Sequence, residues 1–105
     1  MSLQNTLPKD ERAMNALYDV IDPELNVNIV DLGLVYDITF APKTVHVLMT
    51  LTSRFCPMGD AIKTGVINAL EAEFPGEEIE IELTFEPAWN MDFVSDQGRE
   101  ELNNR

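Results

Sequence analysis

Residues 45–52, VHVLMTLT, alternate between two kinds of side chain and decide the centre of the fold. Val45, Val47, Met49 and Leu51 fall on one face of an extended chain, and the residues between them fall on the other. A period of two predicts a β-strand with one buried face. Residues 35–40 alternate in the same way, so the short break APKT between the two runs predicts an antiparallel hairpin.

The sequence that follows this hairpin predicts a crossover to a third strand. Ile62, Val66 and Leu70 recur at helical spacing over about residues 58–74, and Pro75 and Gly76 end the helix. Residues 78–85, EIEIELTF, alternate again and predict a strand with one acidic, solvated face. A connection of this length makes the second and third strands parallel.

The two ends of the chain complete the predicted topology. Apolar spacing predicts a helix over about residues 9–20, which the dipeptide Asp22-Pro23 ends. Residues 23–33 show no clean period and are expected to be irregular, and a short helix is expected near residues 96–103. The 105 residues therefore predict a single domain, residues 1–105, of the two-layer α+β class. Its predicted order is helix, strand, strand, helix, strand and a C-terminal helical tail around a small mixed sheet.

Composition excludes several classes of function. Seven basic and nineteen acidic side chains give a formal charge of −12, which repels nucleic acid and anionic membrane surfaces. No stretch reaches the roughly 20 apolar residues of a membrane span, and the first residues lack a signal-peptide pattern. A single cysteine cannot form an internal disulfide. We therefore expect a cytoplasmic protein.

That single cysteine, Cys56, falls between a predicted strand and a predicted helix. Pro57 suits the first position of the helix, whose unpaired amide groups would favour a thiolate at Cys56. The alternative is a small buried apolar residue. A cysteine–histidine pair within one chain is excluded, because His46, the only histidine, lies at the far end of the preceding strand. One thiol supplies one ligand, so any metal cluster must be shared with another chain.

Two acidic stretches are further candidates. Asp22 and Glu24 lie in DPEL at the end of the first helix, and Asp31 leads into the first strand. On spacing alone, a turn or cap carboxylate explains Asp22, a solvated charge explains Glu24, and a tight backbone explains Gly33.

Three stretches resemble one family when they are taken in order: DPELNVNIVDLGLVYDI, VLMTLTSRFCPMGDAI and EPAWNMDFVSDQGREEL. The chain resembles, over about residues 12–103, the MIP18 family, also called domain of unknown function 59, which includes SufT-type and PaaD-type proteins. The resemblance implies the fold of a cluster-assembly domain and a role in iron–sulfur protein maturation, with no established catalytic reaction. The family's motif residues correspond here to Asp22, Pro23, Glu24, Asp31, Leu32, Gly33, Thr50, Thr52, Cys56, Pro57, Pro87 and Trp89.

The resemblance supports one leading hypothesis and leaves two alternatives open. The leading hypothesis is a non-enzymatic accessory factor that assembles or delivers iron–sulfur clusters through Cys56, holding a transient or shared cluster and contacting assembly or client proteins. The first alternative is a metal-free interaction module of a multi-component oxygenase pathway of the phenylacetate type. PaaD-type proteins carry a cysteine-rich C-terminal zone that is absent here, which favours the leading hypothesis. The second alternative is a thiol enzyme whose base comes from a partner. A homodimer, formed at the edge of the third strand, is also expected.

Overall fold

The computed structural model describes residues 8–52 and 59–103 as an α+β domain with a small mixed sheet, as the sequence predicts. The predicted hairpin, crossover helix, third strand and C-terminal helix are all present. Additional short elements lie between the first helix and the hairpin. In chain order the elements are α1 (Lys9–Leu17), β1 (Ile21–Asp22), β2 (Val27–Asn28), α2 (Ile29–Leu32), β3 (Val35–Ala41), β4 (Thr44–Met49), α3 (Gly59–Glu73), β5 (Glu78–Leu83), a 3-10 turn (Met91–Phe93) and α4 (Asp96–Asn103).

The main sheet has the order β3-β4-β5. β3 and β4 pair antiparallel as a hairpin, whereas β4 and β5 pair parallel, with Val45 opposite Ile79 and Met49 opposite Leu83. The parallel pairing confirms the predicted crossover, which α3 makes between the two strands. A register shift between Val35 and Asp37 shows a bulge at the start of β3.

One face of the sheet is buried under the helices. Val45, Val47 and Met49 of the central strand are fully buried, together with Leu17 of α1 and Leu70 of α3. α1 and α3 contact each other, α1 contacts β3 and α3 contacts β5, so the domain has two layers. The core therefore lies between the helices and the face of the sheet that the alternation predicts.

The other face of the sheet is polar. His46 lies on this face, and its Nε2 is 3.1 Å from Oε1 of Glu82 on β5. The side chain of His46 is 34% exposed.

The first helix is shorter than predicted, because it ends at Leu17 and not at residue 20. The Val20 amide donates to the Leu17 carbonyl at 3.0 Å in the turn that follows, and the Val20 carbonyl accepts from the Ile29 amide at 2.9 Å. This second bond continues the pairing of β1 with β2 and competes with a further helical turn. The apolar spacing of the sequence puts Val20 and Ile21 on one face of that helix, but in the structure Val20 is buried while Ile21 is 47% exposed.

The prediction of irregular structure over residues 23–33 was also wrong. β1 and β2 form a two-residue antiparallel ladder, in which Asp22 is opposite Val27, and α2 follows at once. Asn26 adopts a φ of 59° in the connecting turn. Strands of two residues and a helix of four are too short to produce a detectable period.

The C-terminal segment packs against α2. A Cβ atom on Gly98 of α4 would lie 3.0 Å from the carbonyl oxygen of Asp31 in α2, which shows how closely the two helices approach. None of the described helices is both long enough and apolar enough to cross a bilayer.

Candidate functional site

Asp31 connects α2 to the C-terminal segment. Its Oδ2 accepts from Asn28 Nδ2 at 2.7 Å, and its Oδ1 accepts from the Ser95 hydroxyl at 2.8 Å. The Ser95 amide donates in turn to the Asp31 carbonyl at 2.7 Å. Both carboxylate oxygens of this buried residue therefore have partners, which gives Asp31 a structural role.

Asp22 has a different environment. Its Oδ1 accepts from the backbone amides of Glu24 at 2.8 Å and Leu25 at 3.1 Å, which is the turn role expected for an aspartate before proline. The residue is only 1% exposed, and its Oδ2 is buried with no hydrogen-bond partner in the described part of the chain. Burying an unpaired polar oxygen costs free energy, so this atom is a candidate functional group.

The remaining motif residues of the first two stretches differ in exposure. Glu24 is exposed, in agreement with a solvated charge. Thr50 is fully buried; its amide donates to the Leu34 carbonyl at 2.8 Å, and its hydroxyl is 3.4 Å from the Leu51 carbonyl oxygen. Thr52 is half-buried. The alternation of the sequence predicts that Thr50 lies on the solvated face of its strand. This prediction was wrong, because Thr50 is fully buried.

Gly33 and Trp89 hold the C-terminal segment against α2. Gly33 caps α2 in the left-handed region, with a φ of 79°, and a Cβ atom there would overlap the Phe93 carbonyl oxygen and lie 2.7 Å from the Phe93 Cβ. Trp89 is half-buried, and its Nε1 donates to the Leu32 carbonyl at 2.6 Å. Gly33 and Trp89 are therefore brought together with Asp31 in one structural junction.

Cys56 and Pro57 lie outside the described residues, as does the predicted helix start at Met58. The described chain stops at Thr52 and resumes at Gly59, three residues after Cys56. These two ends are close, because a Cβ atom on Gly59 would be 3.0 Å from Leu51 Cδ1. β1, which carries Asp22, contacts α3, and Gly59 is the first residue of α3.

Most of the chain matches one known protein family. The model of a family described as iron–sulfur cluster assembly protein matches residues 10–83. The chain belongs to this family. The resemblance to the MIP18 family, or domain of unknown function 59, is thereby confirmed.

Two curated relatives of this iron–sulfur cluster assembly family differ in length. An "Fe-S protein maturation auxiliary factor" of Porphyromonas gingivalis is 40% identical over 97 residues, which are 91% of this chain and 92% of the relative. An "Iron-sulfur cluster carrier protein" of Mycobacterium tuberculosis is 39% identical over 88 residues, which are 83% of this chain but only 21% of the relative. The same kind of domain thus occurs alone and as a minor part of a longer chain.

A solved structure of the family supports the fold. The crystal structure of a domain of unknown function 59 from Bacillus anthracis superposes with a TM-score of 0.85 at 37% identity, covering 90% of this chain and 92% of that one. The architecture described above is therefore the family's own fold.

Two residues of the junction were missed from the sequence, although local signals for both exist. Asn28 caps α2, with its Oδ1 accepting from the Asp31 amide at 2.8 Å, and Ser95 caps α4, with its hydroxyl oxygen accepting from the Gly98 amide at 3.0 Å. Asparagine and serine are preferred helix caps, so a search for caps would have found both. Their joint contact with Asp31 depends on the tertiary fold.

The described residues hold no cluster of three or more histidine, cysteine, aspartate or glutamate side chains arranged to bind a metal ion. Asp31 is occupied by hydrogen bonds and Glu24 is solvated. Among the acidic motif residues, Asp22 alone combines burial with an unpaired oxygen.

Proposed function

We propose that the chain is a non-enzymatic accessory factor that assembles iron–sulfur clusters or delivers them to client proteins. The observation that carries this proposal is the match to the Porphyromonas gingivalis maturation factor, which extends over more than nine-tenths of both chains. Similarity over the whole length leaves no large domain of the relative without a counterpart here.

Cys56 is the proposed cluster-binding residue. Iron–sulfur clusters are held by cysteine thiolates, and the chain has one cysteine. The cluster is therefore transient or shared, with its other ligands supplied by a second copy of the chain or by an assembly or client protein. The second copy would dock at the outer edge of β5, the same edge that the sequence suggests for a homodimer.

Asp22 is the proposed supporting group. Its buried Oδ2 has no partner among the described residues, and its strand contacts the helix that begins three residues after Cys56. Because this oxygen is buried, we expect it to accept a hydrogen bond from a partner or to ligate iron only after the surrounding residues move. Pro57, Thr50 and Thr52 would support the segment that carries the thiol.

The proposed setting is the cytoplasm, where a reducing environment keeps a lone thiol free. The proposed partners are proteins alone, because a formal charge of −12 repels nucleic acids and anionic membranes.

Complementation tests the role of Cys56. A strain that lacks its own copy of the gene receives Cys56→Ala or, as a matched control, Glu71→Gln at an exposed position of α3. We expect both variants to accumulate to the unsubstituted level on immunoblots, and only Cys56→Ala to lose the activity of iron–sulfur enzymes. Full enzyme activity with Cys56→Ala would contradict the proposal and leave Asp22 as the group to examine.

Anaerobic reconstitution tests the sharing of the cluster. Iron and sulfide analysis should give at most one cluster per two chains, with none bound to Cys56→Ser. A stoichiometric cluster on a monomer of Cys56→Ser would refute the assignment of Cys56 as the cluster ligand.

Deletion of the gene tests the alternative function. If the deletion impaired an oxygenase pathway and spared all other iron–sulfur enzymes, the chain would be better explained as a metal-free interaction module.

A further inference from the structure

A cleft between α1 and β3 is lined by none of the motif residues of the proposed cluster site. It encloses about 260 Å³. Asp10 and Met14, one helical turn apart on α1, form one wall. The other wall consists of four consecutive residues of β3, numbers 35–38.

The run of four consecutive residues shows which part of the strand faces the cleft. Successive side chains of a strand point to opposite faces of the sheet, so a cavity on one face would touch alternate residues. The bulge between Val35 and Asp37 interrupts this alternation, but Asp37 and Ile38 beyond it pair regularly and lie on opposite faces. The cleft touches both of them and therefore lies at the outer edge of β3. β3 is the terminal strand of the order β3-β4-β5, and no described strand pairs with its outer edge. The backbone groups of such an edge are a template for an added strand.

The side chains of the cleft combine apolar surface with negative charge. Met14, Val35 and Ile38 are half-buried. Asp10 and Asp37 are exposed, and neither forms an ion pair within the described residues.

The two cations of α1 are engaged elsewhere. Arg12 Nε is 2.9 Å from Glu73 Oε1, and Lys9 Nζ lies 5.8 Å from the centre of the Phe40 ring. Neither cation of α1 therefore neutralises the carboxylates of Asp10 and Asp37, which both line the cleft.

We propose that the α1–β3 cleft binds an extended segment of a partner protein, which adds to β3 as a fourth strand. The segment carries alternating apolar and basic side chains, so that the apolar ones contact Met14 and Ile38 on the helix side and the basic ones face Asp37 on the open side. A basic residue at the end of the segment pairs with Asp10, one helical turn from Met14. Strand addition draws affinity from main-chain hydrogen bonds and specificity from alternate side chains. This binding site does not involve Cys56, so its test is independent of the proposed cluster function.

Two other occupants fit less well. A drug-sized ligand needs about 300–1,000 Å³, which exceeds this cleft. A second copy of the chain docked here would bring a second set of the same carboxylates to the same edge.

The test uses a synthetic peptide, acetyl-Lys-Val-Lys-Val-Lys-Ile-Lys-amide, titrated into the ¹⁵N-labelled full chain in 0.15 M salt, where long-range charge attraction is screened. We expect the largest amide shift changes at residues 10–14 and 35–40. A peptide of identical charge with alternate backbone nitrogens methylated cannot complete the ladder and should bind at least about tenfold more weakly. Equal binding of both peptides would refute strand addition.

Two double variants with the same change in net charge locate the site. Asp10→Lys with Asp37→Lys should weaken binding of the unmethylated peptide at least about tenfold, whereas Glu78→Lys with Glu80→Lys on the opposite edge should change it less than about twofold. Equal losses would mean diffuse attraction to an acidic surface and would overturn the proposal. If the first variant fails to fold, the comparison of the two peptides on the unsubstituted chain decides. A dimer whose dissociation on dilution shifts the residue 35–40 amides would assign the edge to a second copy and refute a partner segment.

Discussion

Asp22 and Asp31 are both motif aspartates, but the fold satisfies their carboxylate oxygens to different extents. Both are buried, and both lie in short elements between α1 and β3. Both oxygens of Asp31 accept hydrogen bonds from side chains, whereas Asp22 uses one oxygen in a turn and leaves the other unpaired. The difference separates a carboxylate that is fully satisfied within the fold from one that keeps an unpaired oxygen.

The largest expected effect is on stability, at Asp31. Asp31→Ala removes two hydrogen bonds to a carboxylate and leaves the Asn28 amide and the Ser95 hydroxyl unsatisfied, which should cost about 3–5 kcal/mol of unfolding free energy. Urea denaturation measures this. The control is Asp92→Ala, whose carboxylate is 92% exposed and 3.8 Å from Arg99, and which should cost less than about 1 kcal/mol. A similar loss of unfolding free energy in the two variants would contradict the structural role of Asp31.

A glycine pair sharpens the role of the junction around Asp31. Gly33 and Gly76 both have positive φ, but a Cβ atom would meet Phe93 at Gly33 and nothing within 4 Å at Gly76. Gly76→Ala should therefore cost about 1 kcal/mol for backbone strain alone, and Gly33→Ala should cost about 1–3 kcal/mol more. Thermal or urea unfolding of both variants gives the difference. A Gly33→Ala protein as stable as Gly76→Ala would mean that the Phe93 contact relaxes freely.

The same amide substitution at both aspartates tests the comparison directly. Asp31→Asn turns one acceptor oxygen into a donor within a satisfied network and should cost about 1–3 kcal/mol. Asp22→Asn can keep its turn acceptor and should change stability by less than about 1 kcal/mol, while lowering the activity of iron–sulfur enzymes in the complemented strain. Unchanged enzyme activity with Asp22→Asn would leave the unpaired oxygen without a function.

The smallest expected effect lies on the open face of the sheet. Glu82 is 62% exposed and pairs with His46, so Glu82→Gln should alter stability by no more than about 0.5 kcal/mol. A double-mutant cycle with His46→Ala measures the interaction free energy between the two side chains. A coupling above about 1 kcal/mol would show that this face contributes as much as a buried contact.

The fold was largely predictable because its strands alternate cleanly. Val45, Val47 and Met49 are buried as the period of two requires, and the length of the crossover fixed the parallel pairing of β4 with β5. The β1–β2 hairpin and α2 were missed because two to four residues carry no period. The end of α1 was misplaced because pairing of Val20 with Ile29 stops the helix before proline can.

The candidate site was only partly predictable. The turn role of Asp22 follows from its position before Pro23. The unpaired oxygen of Asp22 does not follow from sequence, because burial depends on the packing of distant elements. Similarly, Asp31 accepts a hydrogen bond from Ser95, which lies 64 residues further along the chain. The predictions for Cys56 and Pro57 remain predictions.

The contact between Trp89 and Leu32 has an optical consequence. Trp89 is the only tryptophan, so the ultraviolet emission of the protein comes mainly from one indole, fixed to the α2 carbonyl and half shielded from water. Release of the C-terminal segment from α2 would hydrate that indole and move its emission to longer wavelength, even while the main sheet stays folded. Trp89, which lies beyond the residues that the family model matches, is thus an intrinsic fluorescent reporter of this junction.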